Sequence, residues 1–242
     1  MSSLKIRFLV LALFAIMVFA GEASAHSMWL AEKDGTLEIQ YGHENDLDPY
    51  KPERVGSIRA FAADGGEVKA LVRSSGSIVS VEPAGAAMVS AAYDNKAWTK
   101  SASKGWVNLP RADVPDGSQS GLSQKYAKSY LKPTRDFAKP LGQALEFIPL
   151  SDPASLNAGD RLKLRVLLDG KPLAGVKVAA NMFDYSDKAE KVVTDADGAV
   201  TVTVPARRMA GVEIEYFAKT AGDSRIDGIW YTSSITFRVS GR

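Results

Sequence analysis

From His26 onward, apolar residues recur mostly at every second position, in short runs interrupted by Gly, Asp and Pro. That is the pattern of half-buried β-strands joined by tight turns. Leu37, Ile39 and Tyr41 alternate with Glu38 and Gln40, and Val68, Ala70 and Val72 repeat the alternation. Residues 78–81 and 88–93 read as further strands, so one β-sandwich domain is expected over 26–100. A second set, 162–168, 176–182, 200–204, 212–218 and 235–239, predicts another over 146–242. Its turns carry Asp169-Gly170, Leu173-Ala174-Gly175 and Asp197-Gly198, which suit positive φ.

The stretch between the two sets, 101–145, differs in kind. Trp106, Pro110 and Pro115 precede Leu122, Tyr126 and Tyr130, whose spacing predicts one short helix over 120–131 in a connecting segment. The expectation is thus an all-β chain of two tandem sandwiches with that helix between them. A connection so long is either a linker or a functional loop, and its aromatic content favours packing against a domain.

The first 25 residues change the picture. Lys5 and Arg7 precede an unbroken apolar run over 8–20, and Ala23-Ser24-Ala25 follows as a small-residue cleavage site. This reads as a secretory signal peptide over 1–25, since 13 apolar residues are too few for a spanning helix of ~20. The mature chain would begin at His26, outside the inner membrane and not integral to it. Losing Lys5, Arg7 and Glu22 takes Lys+Arg from 30 to 28 and Asp+Glu from 28 to 27. A balance so near neutral, with no basic run, argues against DNA or any other nucleic acid as partner. There is no cysteine, which excludes disulfides, thiolate metal sites and cysteine nucleophiles.

Histidine is almost as scarce: the chain has two, His26 and His43. A mature N-terminal histidine offers an α-amine and a ring nitrogen in one chelate, and the amine, with a pKa of ~7.7–8.0, gives up its proton to a metal near neutrality. His43 would complete an N3 arrangement, a histidine brace, suited to Cu(II), Ni(II) or another ion that prefers imidazole. A hairpin turning at Lys33-Asp34-Gly35 would bring the two together. Glu44, Asp46, Asp48 and Met28 are candidate further ligands, against a bland alternative for each: solvated carboxylates and a core methionine. With both histidines so assigned no serine triad has a base, and no G-x-x-x-x-G-K phosphate loop occurs.

The N-terminal "HSMWL", the "YGHENDLDPY" segment, "KYAKSYL" and the block "LGQALEFIPLSDPASLNAGDRLKLRVLLDGKPLAGVKVAA…TDADGAVTVTVP" together resemble the DUF4198 family across nearly the whole mature chain. The C-terminal block by itself also resembles transthyretin-like and immunoglobulin-like spacer domains. The family resemblance implies an exported β protein, described for many members as a NikK-like periplasmic component of cobalt or nickel uptake. It implies a metal ion or metal chelate as ligand and a membrane metal transporter as partner.

Three function classes follow. The first is a non-catalytic periplasmic binder of a divalent transition metal, nickel or cobalt by resemblance and copper by affinity order. The second is a mono-copper oxygenase using the same three nitrogens, the third a structural or adhesive β-sandwich module with incidental histidines. Peroxide or substrate turnover by the copper-loaded chain separates the second from the first. Stoichiometric metal binding separates both from the third.

Overall fold

The structure, a computed structural model, describes residues 26–220, 223 and 225–239; the expected leader over 1–25 lies outside the described residues. The alternation at 37–41 is realised in a hairpin of β1 (Ser27–Lys33) and β2 (Thr36–His43). Its two-residue turn is Asp34-Gly35, at φ 49° and 79°, the doubly positive geometry that matches strand twist. The further strands are β3 (Asp46–Leu47), β4 (Val55–Phe61), β5 (Glu67–Val68), β6 (Leu71–Ser75), β7 (Ile78–Glu82), β8 (Met88–Ser101), β9 (Gly105–Val107) and β10 (Gly117–Tyr130). After them come β11 (Leu145–Pro149), β12 (Arg161–Leu168), β13 (Lys171–Pro172), β14 (Lys177–Ala179), β15 (Lys191–Val193), β16 (Ala199–Thr203), β17 (Met209–Lys219) and β18 (Gly228–Arg238). The chain is all-β.

These strands form three sheets. A front sheet runs β1-β2-β7-β6 with β3 on β2; a central sheet runs β15-β14-β17-β18-β10-β8-β4-β5 with β9 on β8; a back sheet runs β11-β12-β13 with β16 on β12. Side chains alternate across a strand, so the central sheet feeds two cores. Ala60, Val89, Ala91, Tyr93 and Ala127 pack with Met28, Leu30, Leu37 and Ile39 of the front sheet. Their neighbours Phe61, Met88 and Tyr130 pack the other way, with Leu145, Phe147, Leu162 and Leu164 of the back sheet. Two sandwiches therefore share their middle layer.

Two expectations are corrected. Residues 120–131 are not a helix: they form most of β10, antiparallel to β8 and parallel to β18. Leu122, Tyr126 and Tyr130 are four apart, and four is two strand periods as well as about one helical turn, so the spacing satisfied both templates. The intervening Ser123, Lys125, Lys128 and Ser129 are polar, yet they are buried. The strands of the two halves also meet in one sheet, through the parallel pairing of β10 with β18 from Gly121↔Gly228 to Tyr130↔Phe237. The expected connecting segment runs through the middle of that sheet. Elsewhere the pattern at 68–72 divides between β5 and β6, with Val72 46% exposed beside the sheet's edge.

One contact between layers positions the site. The β1 edge that does not face β2 stands on β18, where Ser234 Oγ donates to the Met28 carbonyl (2.6 Å) and Thr236 Oγ1 to the Leu30 carbonyl (2.9 Å). Covering an edge in this way satisfies its backbone groups.

Candidate metal centre

The β1–β2 ladder pairs Ser27 with Gly42, and one further step sets His26 against His43. Their ring centroids are 5.6 Å apart at 67°. The chain then folds back sharply. Gly42 has φ +114°, and a Cβ there would lie 2.7 Å from the Asp46 carbonyl oxygen and 2.8 Å from the Asp48 nitrogen. Only glycine leaves room for that return. The Asp48 N–H donates to the Tyr41 carbonyl (2.9 Å), which carries the Asp48 carboxylate to His26, with Oδ2 3.0 Å from Nε2.

Burial lowers the His26 pKa below its ordinary 6.5, with His43 and Lys125 acting in the same direction and Asp48 opposing them. The ring is therefore neutral at neutral pH, as a ligand must be. With Nε2 against Asp48, Nδ1 is the ring nitrogen left to meet a cation, and the expected cleavage after Ala25 would add the residue's own amine beside it. A carboxylate on the far nitrogen is the usual way of orienting a ligating histidine. His43 Nδ1 is buried and has no hydrogen-bond partner. The residues fit a cation held by two imidazoles and a terminal amine. Among the described residues no group of three or more His, Cys, Asp and Glu side chains could hold a metal ion, so the amine is indispensable to that set.

The other candidates part company. Met28 is a core residue at 1% exposure, Asp46 is exposed on β3, and Glu44 is engaged elsewhere. Its carboxylate pairs with Arg207, whose guanidinium lies 4.2 Å over the Phe183 ring, while Phe183 meets Trp29 edge-on at 5.9 Å.

Several residues from far along the chain surround the histidines without having announced themselves in the sequence. Tyr185, between β14 and β15, packs edge-on against His43 at 4.7 Å, and its hydroxyl accepts the Glu44 N–H at 3.0 Å. Lys125 on β10 is buried behind Tyr41, its Nζ 5.6 Å from that ring's centroid and 3.4 Å from Thr232 Oγ1. Glu213 on β17 bonds the Ser27 side chain, and burial followed by repulsion from Glu215 holds its carboxyl well above the usual range. The sequence signal for Lys125 was its period-two spacing from Ala127, a core position; Tyr185 and Glu213 had none.

No helix among the described residues is long and apolar enough to cross a membrane. Among curated proteins none matches the chain. Among solved structures a chimeric titin Z1Z2, functionalised with a KLER exogenous peptide from decorin, is 13% identical over 89% of this chain and 95% of that one. Its TM-score of 0.21 makes it too slight a likeness to bear on fold or function. A family model described as a domain of unknown function, DUF4198, matches residues 23–217, most of the sequence, and the chain belongs to that family.

Proposed function

We propose that this is an exported, periplasmic protein, freed of its leader after Ala25, that binds a divalent transition metal as cargo in support of nickel or cobalt uptake. The carrying observation is the His26–His43 pair, 5.6 Å apart, with His26 Nε2 engaged by Asp48 and His43 Nδ1 buried without a partner. The chain's own groups do three things. The His26 amine and Nδ1 close a chelate, His43 supplies the third nitrogen, and Asp48 fixes the ring of His26. The role is capture and release without turnover. Nickel or cobalt rests on the family resemblance, whereas affinity alone ranks Cu(II) above both. A membrane metal transporter is the partner this role requires.

The test begins with intact mass and metal content of the exported protein, expected to show His26 at the N-terminus and one metal per chain. Changing a residue that only orients a ligating histidine typically costs 10–100-fold in affinity, so loss of a ligand itself in His43→Ala should weaken Ni(II) or Cu(II) binding by roughly 100-fold or more. Its apo Tm should move by no more than about 2 °C, because the half-buried His43 ring lies outside the hydrophobic cores. Acetylating the His26 amine should have a comparable effect on affinity. Binding should also weaken below about pH 6, where imidazole protonates. Equal affinity for amine-blocked and free chains would refute the N3 reading.

A further inference from the structure

Four residues along β18 from Ser234, which holds β1, the same face of the central sheet carries Trp230. Phe217 is its pair across the ladder to β17, with ring centroids 5.0 Å and planes 35° apart. Trp106 of β9 stands at 89° to Trp230, centroids 5.2 Å apart, and all three rings are half-buried. Two glycines lie beneath them. A Cβ at Gly121 of β10 would sit 2.6 Å from the Trp230 ring, and one at Gly228 of β18 would sit 2.6 Å from the Phe217 ring. Neither glycine has a positive φ, so the close approach of the rings is what requires them.

The polar ends of these rings separate them from tryptophans that only pack. Trp29 is a core residue at 2% exposure, and the Trp98 N–H donates to the Asn95 carbonyl at 3.2 Å. The N–H groups of Trp106 and Trp230 have no acceptor among the described residues and are not buried. Such rings, apolar in body and open at the polar tip, are typical of binding surfaces. Beside them Asp227, next to Gly228, accepts the Ser120 N–H at 2.8 Å and pairs with Arg111, its side chain still 41% exposed. The surface therefore joins an apolar floor, two free donors and a charged acceptor. A pyranose ring is its complement, with a C–H face bare of polar groups and a rim of hydroxyls that donate and accept. A nucleobase would stack as well, but the chain has no basic run to hold its phosphates. A second copy of this chain would need roughly 800 Å² per partner around an apolar centre, and three half-buried rings hemmed by Lys100, Arg111 and Asp227 fall short of that.

We propose that this end of the central sheet is a glycan-binding site, at which a pyranose unit stacks on the Trp230, Phe217 and Trp106 cluster while its hydroxyls meet the two indole N–H groups and the Asp227 carboxylate. Gly121 and Gly228 belong to the device because they let the rings settle on the backbone. Arg111 is a positioning residue that fixes Asp227. The site goes beyond the cargo reading and shares no residue with the proposed metal centre, so either can fail without the other.

The test is calorimetric titration of the exported protein, in EDTA, with cellotetraose, chitotetraose and maltotetraose, alongside tryptophan fluorescence. At least one should bind with a Kd of about 0.1–1 mM, the strength of a few weak contacts, and shift the emission. Trp230→Ala should weaken that binding roughly tenfold or more, as truncation of an aromatic anchor does. Trp230→Phe, which keeps a stacking ring, and Asp227→Asn, which keeps an acceptor, should each weaken it by roughly threefold to fivefold. They carry the test should circular dichroism show Trp230→Ala unfolded. Leu71→Ser, on an exposed apolar residue of another sheet, should leave affinity unchanged. No binding of any of the three sugars at about 10 mM overturns the proposal, as does binding that survives in all the Trp230 and Asp227 variants. Sedimentation showing a dimer that Trp230→Ala dissolves overturns it too, and gives the face to a second copy. Sugar binding that persists in EDTA while no metal binds refutes the cargo reading alone.

Discussion

Two lysines three residues apart on β10 are both about 1% exposed, yet they live in opposite circumstances. Lys128 faces the back sheet, where its ammonium donates to Glu146 Oε1 at 2.6 Å and to the Phe147 carbonyl at 2.9 Å. Glu146 in turn accepts the N–H groups of Leu141 (2.6 Å) and Gly142 (3.1 Å), so the pair is saturated. Lys125 faces the front sheet with one long contact to Thr232 and an aromatic ring, and its carboxylates act on it from a distance. Burial lowers the pKa of both. The difference separates a closed polar network from an open one. The closed network holds β10 to β11, whereas the loosely bonded ammonium of Lys125 lies behind Tyr41, next to the histidines.

The largest expected effect breaks the closed network. Lys128→Met leaves the Glu146 carboxylate buried and uncompensated, which costs about 3–5 kcal/mol when one partner of such a pair is removed. Lys125→Met removes a weakly bonded ammonium and should cost no more than about 1.5 kcal/mol, a scale set by a single hydrogen bond. Denaturant unfolding of the two variants measures the contrast. Equal losses would show that Lys125 is held as firmly in place by its neighbours as Lys128 and would erase the comparison.

A second, smaller contrast lies at the two ends of the β1–β2 hairpin. Gly35 has φ +79° with nothing within 4 Å of a Cβ, whereas Gly42 has φ +114° with backbone atoms at 2.7 and 2.8 Å. Gly35→Ala should cost about 1 kcal/mol, the penalty of the left-handed region alone. Gly42→Ala adds a clash with the Asp46–Asp48 return and should cost about 2–3 kcal/mol. It should also weaken metal binding by displacing Asp48 from His26, whereas Gly35→Ala should leave binding alone. Paired stability and binding measurements decide whether the fold-back serves the site.

How much of this was visible in the sequence varies with distance along the chain. Residues 37–41 declared their strand because one side is core and the other solvent, and Asp34-Gly35 declared its turn, so the approach of His26 to His43 was open to inference from 18 residues. β10 was not, because its polar residues are buried on both faces and its three apolar markers fit either period. The pairing of β10 with β18 joins positions about a hundred residues apart, and alternation says which face a residue takes but not which strand lies beside it. Tyr185 reaches His43, and Glu213 reaches Ser27, across the same kind of gap, from segments whose local pattern concerns their own sandwich.

The smallest expected effect concerns one of those unannounced residues. Tyr185 is 46% exposed, and its hydroxyl accepts a single bond, from the Glu44 N–H. In Tyr185→Phe water can replace that acceptor, so the loss should be about 0.5 kcal/mol, at the low end for a neutral hydrogen bond. The ring stays against His43, and metal affinity should change less than about threefold, below 1 kcal/mol. Tyr185→Ala removes the ring as well, opening the side of His43 now covered at 4.7 Å. That imidazole then loses the contact that limits its rotation. Affinity should fall roughly tenfold, with stability still within about 1 kcal/mol of the original because so little of the side chain is in the core. Calorimetric titration with Ni(II) reads the first quantity and thermal unfolding the second. If alanine and phenylalanine behaved alike, Tyr185 would be a surface residue whose ring does no more for His43 than solvent does, and the centre would belong to the β1–β2 hairpin alone.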